Sequence, residues 1–268
     1  MECATETKGI MQVSGTDKKL LGKTILVAED VEMNQHLIRH ILESSGAKVV
    51  IARNGSEALE QIKKQNFDCV LMDVQMPEMD GIQATVNIRS LEDPRLASIP
   101  IIALTANCGP DDLLKYEQAG MDDYLPKPIE ESHLITTILG ASGSRLENNP
   151  GSASTENKLY DLAMIRSVSG GDEAFIRKMI LLFIDTVPQN VQELVEASGQ
   201  KNWEQVSKMA HKLKSTIDSM GIRSIHDQIR AVEMNAKNQD GLDHLPNMIR
   251  QVESVVSVCI QQLRGEVG

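Results

Sequence analysis

The sequence predicts an α/β domain with a doubly wound, five-stranded parallel sheet, followed by an all-α helical bundle. Over residues 23–140, short apolar runs rich in Val and Ile alternate with amphipathic stretches. From residue 158 to the end, the strand pattern gives way to helical periodicity. The stretch 141–157, ASGSRLENNPGSASTEN, has the composition of a flexible linker. We therefore expect a flexible segment at 1–22, a sheet domain at 23–140, a linker at 141–157 and a four-helix-bundle domain at 158–268.

Five apolar runs predict the strands of the sheet. Because these runs are mostly continuous rather than alternating, they are typical of strands that are buried on both faces. A helical pattern follows each strand, and five such repeats favour a doubly wound parallel sheet. The predicted strands are 24–28, 48–52, 69–72, 101–104 and 123–125, and the predicted helices lie near 33–45, 56–66, 82–92, 111–119 and 130–139.

The second domain is predicted to be purely helical. Glycines at 170–171, 199, 221 and 241 separate the helical segments, as expected near helix ends. In the clearest segment, apolar residues recur at steps of three and four and form one core stripe. The predicted helices are 161–167, 172–197, 202–220, 223–238 and 244–264, and the stripe comprises Trp203, Val206, Ala210, Leu213, Ile217 and Met220.

Composition narrows the classes of function. The formal net charge is −11, and the acidic excess lies almost wholly before residue 158, which argues against binding of nucleic acid.

The four cysteines, Cys3, Cys69, Cys108 and Cys259, lack metal-type spacing and indicate no disulfide framework, so a reducing cytoplasm is expected. Neither a signal peptide nor an apolar run of about 20 residues is present, so no membrane span is expected. The initial Met1 suggests a complete chain, although a fragment would look the same.

Polar residues follow four of the predicted strands. Glu29 and Asp30 follow the first strand, and Asp73 ends the third. Thr105 ends the fourth strand, and Lys127 follows the fifth. Right-handed crossovers place all parallel strand ends at one edge of the sheet, where ligands bind in such folds. The sequence therefore predicts that three carboxylates, a hydroxyl and an ammonium share one crevice.

This combination predicts phosphoryl chemistry with Mg²⁺ as cofactor. Crowded carboxylates repel one another unless a cation offsets their charge, and Mg²⁺ prefers oxygen ligands together with substrate phosphate. A carboxylate can then attack phosphorus while the metal and a lysine neutralise the phosphoryl oxygens. Any one such residue alone is commonly an ordinary loop residue or helix cap, so the prediction rests on the combination.

Residues 23–140 resemble the receiver domains of response regulators, which have a flavodoxin-like fold. The matching residues are Glu29-Asp30, LMDVQMPEMDG (71–81), ALTA (103–106) and YLPKP (124–128). The resemblance implies that Asp73 is the phosphoacceptor and that Glu29, Asp30, Asp73 and the backbone carbonyl of Gln75 form the Mg²⁺ site. It also implies that Thr105 and Lys127 contact the phosphoryl group and that Tyr124 is the switch aromatic. Glu29 stands where Asp is commoner, but metal binding is expected to survive.

His211 is the candidate nucleophile of the helical domain. Its direction is about 135° from the centre of the core stripe, so it is predicted to be exposed, on the same side as Ser207, Lys214 and Asp218. A neutral imidazole is nucleophilic, and Lys214 lies one turn away. Position alone also fits an ordinary solvated helix face.

The string AHKLKSTIDSMG (210–221) resembles the signature of histidine-phosphotransfer (HPt) domains. This resemblance implies that His211 is a phosphoacceptor and that Lys214 assists it. Ser215 stands where Gly is usual; because Ser is still small, the approach of a partner receiver to His211 is expected to be only slightly hindered. Of the remaining histidines, His36 and His40 form an i, i+4 pair without an evident third ligand, so a helix face is favoured over a metal site.

The two resemblances together predict a phosphorelay carrier. The chain lacks a P-loop and the nucleotide-binding glycine boxes of a histidine kinase, so its own phosphotransfer and slow hydrolysis of the aspartyl phosphate are the activities expected. The expected partners are a sensor histidine kinase as phosphodonor and another response-regulator receiver. Alternatives are a phosphorylation-controlled binding switch, the C-terminal receiver–HPt part of a hybrid sensor kinase, or weak hydrolysis of small phosphates.

Overall fold

A computed structural model describes residues 18–106, 109–140 and 158–267. Cys3, Cys108, residues 1–17 of the predicted N-terminal segment and the predicted linker 141–157 lie outside the described residues. Both predicted kinds of domain are present, which confirms the fold class. None of the helices in the described ranges combines the length and apolar character needed to cross a membrane.

The sheet domain has five parallel strands in the order β2-β1-β3-β4-β5. This order reverses direction between β1 and β3, the arrangement in which ligands bind at the carboxyl ends of the strands. The strands are β1 (Thr24–Ala28), β2 (Lys48–Ala52), β3 (Cys69–Asp73), β4 (Ile101–Thr105) and β5 (Asp123–Pro126). The predicted strands therefore end within one residue of the observed ones.

Helices cover both faces of the sheet. Alternate strand residues point to opposite faces, which explains the two separate apolar clusters. One cluster joins the sheet to α1 and α6, and the other joins it to α2, α3 and α5. The helices are α1 (Glu32–Ser44), α2 (Gly55–Lys64), α3 (Gly81–Arg89), α4 (Pro94–Ala97), α5 (Pro110–Ala119) and α6 (Glu131–Ile138). The short α4 was not predicted.

The helical domain contains five α-helices within residues 158–267. Side-chain caps begin two of them: Asp172 accepts hydrogen bonds from the first turn of α8, and Asn202 accepts one from the first turn of α9. The elements are α7 (Ala163–Ser169), α8 (Glu173–Gly199), α9 (Trp203–Ser219), a 3₁₀ turn (Arg223–Ile225), α10 (His226–Asn238) and α11 (Leu245–Val267). The predicted core stripe of α9 is buried, apart from the half-buried Trp203.

The two domains pack together through α1. This helix contacts α7, α8 and α9, and its buried face belongs to the same apolar cluster as the core of the bundle. At the contact, the ring of His40 stacks on Phe175 with centroids 3.9 Å apart, and Lys178 Nζ lies 3.3 Å from Nδ1 of His36. The carboxyl edge of the sheet therefore lies beside the surface of α9.

Candidate functional site

Three carboxylates meet at the carboxyl edge of the sheet. Glu29 and Asp30 directly follow β1, and Asp73 is the last residue of β3. One oxygen of each lies within 4.8 Å of the others. Gly81 allows the backbone of α3 to approach that of Asp73, since a Cβ atom at Gly81 would come within 2.1 Å of the carbonyl oxygen of Asp73. The first turn of α3 can therefore lie directly against the end of β3.

Lys127 joins two of these carboxylates. Its Nζ donates to Asp73 Oδ2 at 2.6 Å and to Glu29 Oε2 at 2.7 Å, and all three side chains are buried. Burial alone lowers the pKa of the Lys127 ammonium, but the charges of Asp73 and Glu29 raise it more, so the net shift is upward. Burial and the charge of Glu29 raise the pKa of the Asp73 carboxyl, and Lys127 opposes that rise.

Glu29 is fixed by hydrogen bonds on both of its oxygens. Asn34 Nδ2 donates to Oε1 at 3.0 Å, and the Val31 backbone N–H donates to the same oxygen at 3.2 Å. Because Lys127 occupies Oε2, this longer acid is anchored within the protein. The replacement of the commoner Asp by Glu at this position is thus accommodated by a network that begins in α1.

Asp30 is the carboxylate best placed to bind a cation. Its buried Oδ1 has no hydrogen-bond partner among the described residues, and its Oδ2 lies 3.5 Å from Lys212 Nζ of α9. Burial raises the pKa of the Asp30 carboxyl, the charge of Glu29 raises it further, and Lys212 opposes the rise. An unsatisfied buried oxygen beside two further carboxylates fits a hard divalent cation such as Mg²⁺.

Gln75, Thr105 and Tyr124 are the other predicted residues of this domain. The backbone N–H of Gln75 donates to Asp73 Oδ1 at 3.2 Å. Thr105, the last residue of β4, is buried, and its Oγ1 lies 2.8 Å from the hydroxyl of Tyr116 on α5. Tyr124 is 38% exposed on β5.

His211 and Lys214 meet at one carboxylate that the sequence did not single out. Glu233 of α10 lies 2.7 Å from His211 Nδ1 through Oε1, and its Oε2 accepts from Lys214 Nζ at 2.6 Å. An ionised carboxylate only accepts hydrogen bonds, so Nδ1 of His211 carries a proton. In the neutral ring, the nucleophilic lone pair then belongs to Nε2.

The prediction that His211 is exposed, together with Lys214, is wrong. The side chain of His211 is only 13% exposed, and Lys214 is almost completely buried. The helical geometry of α9 places both residues away from the core stripe, but α10 and α1 cover that side of the helix. The ammonium of Lys214 consequently holds Glu233 rather than facing solvent.

A cavity of about 650 Å³ is lined by residues from both domains. Asp30 and Gln75 line it on the sheet side, and His211, Lys212 and Glu233 line it on the helical side. The pairing of Lys212 with Asp30 spans the two walls. The structure therefore places the acidic edge of the sheet and the candidate histidine at a shared space.

Family models match both parts of the chain. Residues 25–139 match the response regulator receiver domain, and residues 178–255 match the Hpt domain. The chain belongs to the two-component phosphorelay proteins. Its receiver domain is followed by an Hpt domain, as the two sequence resemblances predicted.

Similar curated proteins include sensor kinases of bacteria. The receiver–Hpt chain is 32% identical over 84% of its length to the sensor histidine kinase GacS of Pseudomonas protegens, and 28% identical over 90% to the signal transduction histidine-protein kinase BarA of Escherichia coli. It spans only 26% and 28% of those two proteins.

Among solved structures, the receiver domain of sensor histidine kinase PA1611 of Pseudomonas aeruginosa is similar. It is 38% identical, with a TM-score of 0.41, and the match covers 44% of this chain and 98% of that domain. The PA1611 domain was crystallised with a magnesium ion coordinated in its active-site cleft.

Acid is expected to weaken the Hpt domain through Glu233. Burial alone raises the pKa of this carboxyl, but the hydrogen bond and charge of His211 and the charge of Lys214 outweigh burial and lower it to about 2. A carboxyl with a folded pKa below its unfolded pKa stabilises the fold above the unfolded value, and this stabilisation is lost as the pH falls toward the folded value. The loss should amount to at most about 3 kcal/mol between roughly pH 5 and pH 2.

Urea unfolding followed by the fluorescence of Trp203, the sole tryptophan, measures this loss. In Glu233→Gln, stability should be lower than in the wild type at pH 7, and the difference should shrink steadily toward pH 3. Glu253→Gln, at an exposed glutamate of α11, serves as the matched control and should follow the wild type. Parallel pH profiles of the wild type and Glu233→Gln would contradict the role assigned to this carboxylate.

Proposed function

We propose that this chain carries a phosphoryl group from a phosphohistidine donor to Asp73, and from Asp73 to His211 of the same chain. The observation that carries the proposal is the shared cavity, which Asp30 and Gln75 line from the receiver side and His211 lines from the Hpt side. Because Gln75 and Asp30 both flank the phosphoacceptor candidate, a phosphoryl group on Asp73 would project toward this space.

In the first transfer, a carboxylate oxygen of Asp73 attacks the phosphorus of the donor phosphohistidine. A P–O bond forms, the P–N bond breaks, and its electron pair goes to the donor imidazole. Lys127, now held between Asp73 and Glu29, is placed to pair with a phosphoryl oxygen as negative charge arrives. Thr105 is proposed to donate to a second phosphoryl oxygen, and Tyr124 is proposed to change position with it.

A Mg²⁺ ion at this edge would have Asp30 and Asp73 as its carboxylate ligands, with Glu29 and the Gln75 carbonyl completing the protein's contribution. The observation that supports this assignment is the buried, unpaired Oδ1 of Asp30 beside two further carboxylates. When bound, the ion offsets negative charge on the phosphoryl oxygens.

In the second transfer, Nε2 of His211 attacks the phosphorus. A P–N bond forms, the bond to the Asp73 oxygen breaks, and its electron pair returns to the carboxylate. Glu233 holds the Nδ1 proton throughout and stabilises the positive charge that develops on the ring. Lys214 acts through Glu233, because their 2.6 Å contact fixes the carboxylate in place.

The external partners follow from this sequence of transfers. The donor is a sensor histidine kinase, and the acceptor from His211 is the aspartate of another response-regulator receiver. The similarity to GacS and BarA, both histidine kinases, supports a histidine kinase as the donor.

Transfer within one chain is tested with two variants in a mixture. Asp73→Asn keeps the histidine and His211→Gln keeps the aspartate, so phosphohistidine in the mixture requires transfer between molecules. With acetyl phosphate as donor, wild-type phosphohistidine should form at a rate that is independent of protein concentration. At a protein concentration of about 10 μM the mixture should be slower by about 100-fold, because linked domains have effective concentrations of about a millimolar.

Equal rates for the wild type and the mixture, both falling in proportion to dilution, would contradict transfer within the chain. Absence of phosphohistidine in the wild type, despite phosphorylation of Asp73, would contradict the relay itself. The control is His226→Gln, which changes a half-exposed histidine on α10 and should leave the wild-type rate unaltered.

A further inference from the structure

Thr105 is held by a residue outside the set that the receiver resemblance implies. Its Oγ1 is 2.8 Å from the hydroxyl of Tyr116, and the two residues are 3% and 5% exposed. Tyr116 belongs to α5 and to the apolar cluster between the sheet and α2, α3 and α5. A buried hydroxyl pair of this kind fixes the rotamer of Thr105 and links β4 to α5.

The direction of this link opposes the proposed phosphoryl contact. Leu104 belongs to the cluster on the α1 face of the sheet, so the next residue, Thr105, points to the α5 face. On β3, Met72 belongs to the α5 cluster, so Asp73 points to the α1 face. For its hydroxyl to reach a phosphoryl group on Asp73, Thr105 must turn away from Tyr116.

We propose that Tyr116 is a positioning residue that retains the Thr105 hydroxyl on the α5 face until Asp73 is phosphorylated. Phosphorylation then exchanges the Tyr116–Thr105 hydrogen bond for a bond from Thr105 to the phosphoryl group, and α5 loses its tie to β4. Tyr116 thus determines how readily Thr105 turns toward Asp73, and the loss of its hydrogen bond communicates phosphorylation to α5. This inference rests on the proposed contact between Thr105 and the phosphoryl group.

Tyr116 and the phosphoryl group thus compete for the hydroxyl of Thr105, and Tyr116→Phe removes this competition. The substitution deletes one oxygen and keeps the ring that fills the α5 cluster. Without the competing hydrogen bond, Thr105 should turn toward Asp73 more readily. Since one hydrogen bond of ordinary net strength corresponds to about fivefold in an equilibrium constant, a phosphoryl analogue should bind about fivefold more tightly.

The experiment uses the full chain and beryllium fluoride with Mg²⁺ as the phosphoryl analogue, and ¹⁹F NMR measures the bound fraction. Tyr116→Phe should bind about fivefold more tightly than the wild type. Tyr160→Phe, which removes a hydroxyl that donates to Glu266 within the Hpt domain, is the matched control and should bind as the wild type does. In a Thr105→Ala background, Tyr116→Phe should have no effect.

Unchanged or weaker binding by Tyr116→Phe would overturn the proposal, as would an equal gain in the Thr105→Ala background, because a merely structural role would act without the threonine. Failure of the wild type to bind the analogue at Asp73, with Asp73→Asn as reference, would instead contradict the proposed receiver chemistry. Circular dichroism in urea identifies any loss of folding in the variants.

Discussion

Replacing Asp73 by Asn is expected to remove phosphate from the whole chain, His211 included, when acetyl phosphate is the donor. The physical reason is the proposed order of transfers, in which His211 receives its phosphoryl group only from Asp73, together with the poor nucleophilicity of a carboxamide. Labelling should fall on the order of 100-fold or more. Asn has nearly the shape of Asp and removes one negative charge from a crowded cluster, so the fold should be retained.

The two acceptors are distinguished by chemistry. An aspartyl phosphate is labile in base, whereas a phosphohistidine is labile in acid and stable in base. His211→Gln should keep the base-labile phosphate on Asp73 and lose all base-stable phosphate. If Asp73→Asn kept a normal amount of base-stable phosphate on His211, the histidine would have a route that bypasses the aspartate, and the proposed order would be wrong.

The receiver site was predictable from sequence because the fold determines where its residues lie. In a parallel doubly wound sheet every strand ends at the same edge, so Asp73 and Lys127 could be expected to meet although 54 positions separate them. The structure places their contact at 2.6 Å. What the strand pattern could not supply was the rotamer of Thr105, since its partner Tyr116 belongs to a helix whose side-chain contacts depend on packing.

The surroundings of His211 were predicted less well. Periodicity gives the direction in which a side chain leaves its own helix, but it does not say which other element lies there. Glu233 is 22 positions away on α10, where its spacing from His211 carries no sequence signal. The available clue was an acid at an apolar position of an amphipathic helix, because a carboxylate is rarely buried without a cationic or donating partner.

The packing of the two domains had no signature in the sequence. His36 and His40 were predicted to lie on a helix face rather than in a metal site, and that face of α1 packs against α8. Burial and the charge of Lys178 lower the pKa of His36, which favours its neutral form at this contact. A contact of this kind depends on the shapes of two finished surfaces, so it becomes visible only once both domains are folded.

Lys127→Met is expected to reduce phosphorylation of Asp73 about 100-fold, comparable to the loss of one preorganised charge-stabilising group from an active site. The ammonium that now bridges Asp73 and Glu29 is the cation placed to meet the phosphoryl oxygens. Methionine preserves much of the apolar stem and deletes the charge. The rate is measured with acetyl phosphate and Mg²⁺ by the formation of base-labile phosphate, and Lys23→Met, at a half-exposed lysine before β1, is the control.

The same substitution should also destabilise the receiver domain, and this second effect separates two roles of the lysine. Without Lys127, two buried carboxylates lack their cation, which should cost about 3–5 kcal/mol in urea unfolding without Mg²⁺. Because Mg²⁺ offsets carboxylate charge, adding it should restore much of this stability while phosphorylation stays slow. If the rate recovered together with stability, Lys127 would serve only to hold the folded cluster together; if the rate stayed low in a fully stable domain, its ammonium would be required for the transfer itself.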